Sequence, residues 1–334
     1  MVGNDILATI GNTPLVRLSR IFEGAQFQLF AKLEAFNPGG SIKDRAALSI
    51  LRNAMAKGEV RPGTTIIESS SGNMGIGLAQ ACAYYGLRFI CVVDPKTTSQ
   101  NIQILKAYGA EVDMVVEPDT ATGEFLPARI DRVRKLIRTI PHSYWPDQYS
   151  NVYNSMAHHQ TMREVVTDLG GKVDYMFCST STCGTLRGCA EYVRTHNLET
   201  RIFAVDAVGS VIFGGVPEKR LIPGHGAARM PGLYQPGLAE RCIRVTDLEC
   251  VIGCRRLLQR EAIMAGGSSG AILMAVERVK DEIPPGAVCV ILFSDRGERY
   301  LDTIYSDKWV RKYFGDISHL LKPQTRALEC ATTF

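Results

Sequence analysis

No stretch of this 334-residue chain approaches the roughly 18 consecutive apolar residues of a membrane-spanning helix, and its first residues lack a basic-then-apolar leader. Membrane-spanning and exported classes are thereby set aside, and a cytoplasmic protein is expected. Charge of one sign is also scarce: 38 basic against 34 acidic residues leave +4, too weak and too scattered to point to nucleic acid. The ten cysteines contain no Cys-x-x-Cys pair, and Cys250/Cys254 and Cys178/Cys183 come nearest. Cys82, Cys91, Cys178 and Cys289 lie in apolar patterns, where a thiol behaves as a small hydrophobe. Reduced thiols are expected rather than disulfides. His158-His159 has no ligand partner at useful spacing, so no metal is expected. Internal repeats and low-complexity segments are absent as well.

What is present is alternation. Strand patterns at Phe27–Glu34, Thr64–Glu68, Arg88–Val93, Glu111–Val116, Val173–Ser179, Arg201–Val208 and Ala287–Phe293 interleave with helical ones. The helices are expected over Asp44–Lys57, Met74–Gly86, Ser99–Tyr108, Ala128–Thr139, Ser155–Leu169, Cys183–His196, Asp247–Met264 and Ala271–Asp281. Such alternation predicts an α/β fold of parallel, helix-covered sheets. The length exceeds what one hydrophobic core usually serves, so two units are expected, meeting near the Pro141–Pro146 crossover. From Ser318 to Phe334 the periodicity is lost, which predicts a frayed tail.

Two loops carry the chemistry. Asn37-Pro38-Gly39-Gly40-Ser41-Ile42-Lys43-Asp44-Arg45 turns from a strand into a helix, with Ser41 as the expected N-cap. Lys43 then stands where backbone N–H groups make an ammonium unwelcome; such a lysine either points to solvent or works with a lowered pKa. Thirty residues on, Glu68-Ser69-Ser70-Ser71-Gly72-Asn73-Met74-Gly75 again links strand to helix. One further stretch, Ile10–Leu18, precedes both loops, and two follow, Gly266-Gly267-Ser268-Ser269-Gly270-Ala271 and Gly297-Glu298-Arg299-Tyr300-Leu301.

Together, in this order, these motifs resemble those of the fold-type II enzymes that use pyridoxal 5'-phosphate, the group of the cysteine synthases, cystathionine β-synthases and threonine dehydratases. The resemblance runs from about Ile6 to Phe314. It implies a smaller α/β domain at 40–145, a larger one from 1–39 and 146–317, a tail at 318–334, and the cofactor in the cleft between the domains. It also implies that Lys43 is the Schiff-base lysine and the acid or base at the substrate α-carbon, that Asn73 meets the cofactor's ring hydroxyl, and that Ser268 meets its pyridine nitrogen. The loop Ser181-Thr182-Cys183-Gly184-Thr185 is in place to hold the phosphate at a helix N-terminus. Ser181 and Cys183 there replace glycines common in the family. Ser70, Ser71, Gly72 and Gln148 are implied for the substrate carboxylate.

The substrates are read from departures. Leu221–Leu233 rewrites a glycine-rich family stretch and adds Arg229 at the cleft mouth, which suits an anionic second substrate. Arg129 and Tyr149 flank the substrate loop and suit a phosphate leaving group or further carboxylates. The pattern resembles the branch that condenses O-phospho-L-serine with L-glutamate, through an aminoacrylate, toward 2,3-diaminopropionate and siderophores. Two alternatives stand beside it: a cysteine synthase using sulfide, and a catalytically silent regulatory member. A homodimer is implied by the family alone.

Overall fold

The computed structural model of the protein describes residues 3–120 and 123–321. In chain order the first elements are β1 (Leu15–Arg17), β2 (Gln28–Leu33), α1 (Lys43–Ala56), β3 (Thr65–Ser69), α2 (Asn73–Tyr85) and β4 (Arg88–Val93). Next come α3 (Ser99–Ala107), β5 (Glu111–Met114), α4 (Phe125–Thr139), β6 (Ser143–Tyr144), α5 (Val152–Asp168), β7 (Tyr175–Ser179) and α6 (Gly184–Thr195). The chain continues through β8 (Arg201–Ala207), β9 (Arg241–Val245), α7 (Asp247–Glu261), α8 (Gly267–Val279), β10 (Val288–Phe293) and α9 (Asp307–Phe314).

Two sheets result, one ordered β1-β2-β10-β7-β8-β9 and one ordered β5-β4-β3-β6. Every pairing is parallel except the antiparallel β1/β2 edge. Helices cover both faces of the larger sheet, and the period of two shows it. Tyr175 and Phe177 join the core beneath α7 and α8, while Met176 and Cys178 join the core beneath α5 and α6. β3 and β10 are buried along their whole length, as strands of doubly covered parallel sheets are. Close approach of α5 and α6 needs Gly188, where an added Cβ would lie 2.1 Å from the Ser155 carbonyl oxygen.

The expected strands and helices recur with shifts that side chains explain. α5 begins at Val152, three residues before the expected start, because Asn151 accepts a hydrogen bond from the Tyr153 N–H. β1, β6, β9 and α9 were not foreseen. Only part of the expected tail is described; Ser318–Leu320 makes a single 3-10 turn. Among the described residues nine cysteines are free, and no helix is long and apolar enough to cross a membrane.

Candidate active site

Parallel neighbours send their following loops out at the same edge of a sheet, where α/β proteins place their sites. The turn after β2, the loop after β10 and the loop after β7 therefore emerge together. The first two are stitched by a bridge between Ser41 and Asp295 and by the Ile42 N–H donating to the Ser294 carbonyl at 2.8 Å. The loop after β3, in the other sheet, reaches across to them: Asn73 Nδ2 donates to Asp295 Oδ2 at 2.7 Å.

Lys43 opens α1. Ser41 does not occupy the cap as expected; Ile42 does, and Ser41 Oγ accepts from the Lys43 N–H at 3.2 Å from one position further out. The lysine keeps some accessible surface, yet protein surrounds it. Desolvation lowers its pKa to about 8, against the opposing pull of Asp295 and Cys183. Burial pushes the Cys183 thiol up to about 12, so Asp295 is the partner that matters near neutrality. Burial also raises the Asp295 carboxyl, opposed by Tyr300, Asn73, Arg299 and Lys43. Tyr300 donates to Asp295 Oδ2 at 2.5 Å, and Arg299 donates to Asn73 Oδ1 and to the Gly39 carbonyl. Sequence reasoning missed Asp295; its signal is a lone acid between an apolar strand and the Gly-Glu-Arg-Tyr motif.

The loop expected to hold a phosphate precedes α6. Cys183 stands at its N-cap with φ +64°, a left-handed conformation that costs a non-glycine residue roughly 1–2 kcal/mol. That strain accounts for the glycine common at this place in the family. A Cβ at Gly184 would lie 2.2 Å from Asn154 Oδ1, so any side chain there would have to displace the Asn154 amide. Asn154 in turn donates to Thr182 Oγ1 at 3.2 Å and to the Gln148 carbonyl at 2.7 Å. Thr185 Oγ1 and the buried His158 Nε2 share a hydrogen bond of 3.3 Å. Ser181 is partly exposed beside them. Ser268 is buried in the first turn of α8, and next to it the Ser269 hydroxyl has no partner, nor has Asp295 Oδ1. Orphaned buried polar atoms, an open helix N-terminus lined by hydroxyls and a lysine of lowered pKa form a donor set that fits pyridoxal 5'-phosphate.

The residues expected to meet the substrate carboxylate are gathered next to this. Gln148 is buried and donates through Nε2 to the Ser69 carbonyl at 3.2 Å, so it lies against the loop that carries Ser70, Ser71 and Gly72. Ser70 Oγ accepts from the Gly75 N–H at 2.9 Å and fixes the start of α2. Arg129 is buried, its Nε 3.1 Å from Asp94 Oδ2, while its Nη1 lacks a hydrogen-bond partner. Arg229 is exposed and lines, with Tyr149, Ser69 and Glu68, a cavity of about 160 Å³. Burial raises the Tyr149 hydroxyl's pKa, while Arg129, Arg220 and Arg229 all act on it in the opposite sense. Three guanidinium charges thus act on one phenol, and one of them, Arg229, shares its cavity.

The pyridoxal-phosphate dependent enzyme family matches residues 6–295. A relative from Ralstonia nicotianae, N-(2-amino-2-carboxyethyl)-L-glutamate synthase, is 44% identical over 313 residues, covering 93% of this chain and 92% of its own. Among solved structures, a hydrogen sulfide-producing enzyme from Fusobacterium nucleatum is 31% identical with a TM-score of 0.84, covering 90% of this chain and 100% of its own. An O-acetylserine dependent cystathionine β-synthase from Helicobacter pylori is 30% identical with a TM-score of 0.85, covering 92% and 100%. With the family model matching most of its length and these relatives along nearly all of it, the chain belongs to the pyridoxal-phosphate dependent enzymes of fold-type II and catalyses β-replacement.

Proposed function

We propose that the enzyme replaces the phosphate of O-phospho-L-serine with the amine of L-glutamate, giving N-(2-amino-2-carboxyethyl)-L-glutamate and inorganic phosphate. A Cβ–O bond breaks and a Cβ–N bond forms, in a step toward 2,3-diaminopropionate and siderophores. The observation that carries this reading is that Arg229 and Tyr149 line one cavity with Ser69 of the carboxylate loop, with the charges of Arg129 and Arg220 also acting on that phenol. Sulfide needs no such cluster, whereas a phosphate and two extra carboxylates do. The name of the Ralstonia relative supports the same product.

Bound pyridoxal 5'-phosphate supplies an electron sink for the substrate α-carbon. Ser181, Thr182, Cys183, Gly184 and Thr185 would hold its phosphate, Asn73 its ring hydroxyl and Ser268 its pyridine nitrogen. Ser70, Ser71, Gly72 and Gln148 orient the amino-acid carboxylate. Lys43 moves the proton at the α-carbon, and an amine titrating near 8 suits both taking and returning it. The units at 40–145 and at 1–39 with 146–317 are its domains, and it works in the cytoplasm as a homodimer, which light scattering tests.

The test mixes holoenzyme with O-phospho-L-serine or O-acetyl-L-serine and offers glutamate and sulfide at matched concentration. Mass spectrometry of the products should find the glutamate adduct from O-phospho-L-serine in excess. Preference for sulfide replaces this reading with cysteine synthase.

A further inference from the structure

The acid one residue before the end of β3, Glu68, takes no part in the chemistry described so far, yet it is buried at 2% exposure in the wall of the substrate loop. Its carboxylate is fully used. Oε1 accepts from the Ser69 N–H at 2.8 Å and from Trp145 Nε1 at 3.3 Å, while Oε2 accepts from the Gln148 N–H at 3.2 Å. The Gln148 side chain returns the contact through the Ser69 carbonyl. Gln148 is also preceded by Asp147 at φ +45°, a left-handed turn that the surroundings must hold in place. β3 belongs to the four-stranded sheet, and Gln148 lies past β6 at the entrance to α5.

We propose that Glu68 is a positioning residue, whose second carboxylate oxygen sets the height of Gln148 so that its amide meets the carboxylate of the incoming amino acid. This rests on the reading of Gln148 given above. Gln148 has its main-chain N–H pulled toward Glu68, its carbonyl toward Asn154 and its side chain toward Ser69. Only the first of these ties requires a group that is an acceptor at both ends. A glutamine at position 68 keeps one acceptor for Ser69 and Trp145 but turns an N–H₂ toward the Gln148 N–H, donor against donor. Packing volume is unchanged.

The experiment follows the first half-reaction of the holoenzyme by absorbance, with O-phospho-L-serine and O-acetyl-L-serine in parallel, since both carry the same α-carboxylate. Glu68→Gln should raise the half-saturating concentration of both by about ten-fold, the loss of one charge-assisted hydrogen bond, with the maximal rate within about two-fold. Gln148→Ala should raise it at least as much, and the double variant should match Gln148→Ala alone. Trp145→Phe, which spares Oε2, should leave half-saturation within about two-fold of wild type. Additive losses in the double variant, or a fall in maximal rate with half-saturation unmoved, overturn the proposal. If Gln148→Ala has no effect, the reading of Gln148 fails first, and that result is distinct. Should Glu68→Gln not fold, hydrogen exchange on the wild type decides: a protected Gln148 amide agrees, and one exchanging at the free rate refutes.

Discussion

Lys43 offers the most direct test of how the site works. Desolvation carries its pKa from 10.5 down to about 8, and the charge on Asp295 limits that fall. At pH 7 a lysine at about 8 is roughly 9% neutral, against about 0.03% at 10.5, an advantage of about 300-fold in usable amine. The perturbation is Asp295→Asn, which removes the restraint and leaves desolvation unopposed, so the Lys43 midpoint should move below its wild-type value. The assay is trace acetylation of the cofactor-free protein across pH, with the Lys43 peptide followed by mass spectrometry. Lys57, exposed and with a pKa raised by Tyr153, is the internal reference. Cover slows acetylation of Lys43, but the midpoint is read from the shape of the profile, not its height. A wild-type midpoint near 10.5, or an upward shift in Asp295→Asn, would refute the reasoning.

Arg229→Ala should lower kcat/KM for glutamate about ten-fold while the absorbance change with O-phospho-L-serine alone stays near the wild-type rate. Gly188→Ala forces α5 and α6 apart at the Ser155 carbonyl and should cost about 1–3 kcal/mol in urea unfolding; an unchanged midpoint would contradict the packing. Arg45 is buried between Glu34 and Glu164, at 2.7 Å and 2.8 Å, so Arg45→Met should destabilise by about 3–5 kcal/mol. A loss below about 1 kcal/mol, by the same measurement, would mean that the two carboxylates find other partners. Arg45 hydrogen bonds and charge hold Glu164 at about 2 against the opposing cost of burial; its ordinary value is 4.5. Its stabilisation is therefore complete above 4.5 and lost as pH falls through 4.5 toward 2, so the gap between wild type and Glu164→Gln should narrow over that window.

How much of this was legible beforehand depends on the range of the interactions. Strands such as Val288–Phe293 and the loops around Lys43, Asn73 and Gly184 are written locally, in apolar runs and turn residues. β1 and β6, at three and two residues, are too short to show a period, and β9 is interrupted by the exposed Arg241 and Arg244. α9 was there to be found, with Ser306 capping Trp309 and Asp307 in its first turn. Lys32 in β2 looked like the polar half of an alternation, yet it is wholly buried, 3.1 Å from Glu164. No local pattern reports a partner supplied by α5. Glu68 and Asp295 were hidden for the same reason, whereas Arg129, Tyr149 and Arg229 stood out in the sequence without the electrostatic link between them.

The order of strands in the larger sheet also sets a timetable for the nascent chain. β2 lies between β1 and β10, and its register pairs Gln28 with Val288, residues about 260 positions apart. At about 5–20 residues per second, roughly 13–50 s pass on the ribosome between making one strand and making its partner. The four-stranded sheet is complete once Tyr144 has emerged, because β3 to β6 follow one another without interruption. Until β10 arrives, the β1–β2 hairpin waits with one edge unpaired and Leu29 and Ala31 uncovered, and a lone hairpin is barely stable in water. That open edge is a template for neighbouring nascent chains, so the yield of soluble enzyme should depend more on how crowded its translation is than on the stability of the finished fold.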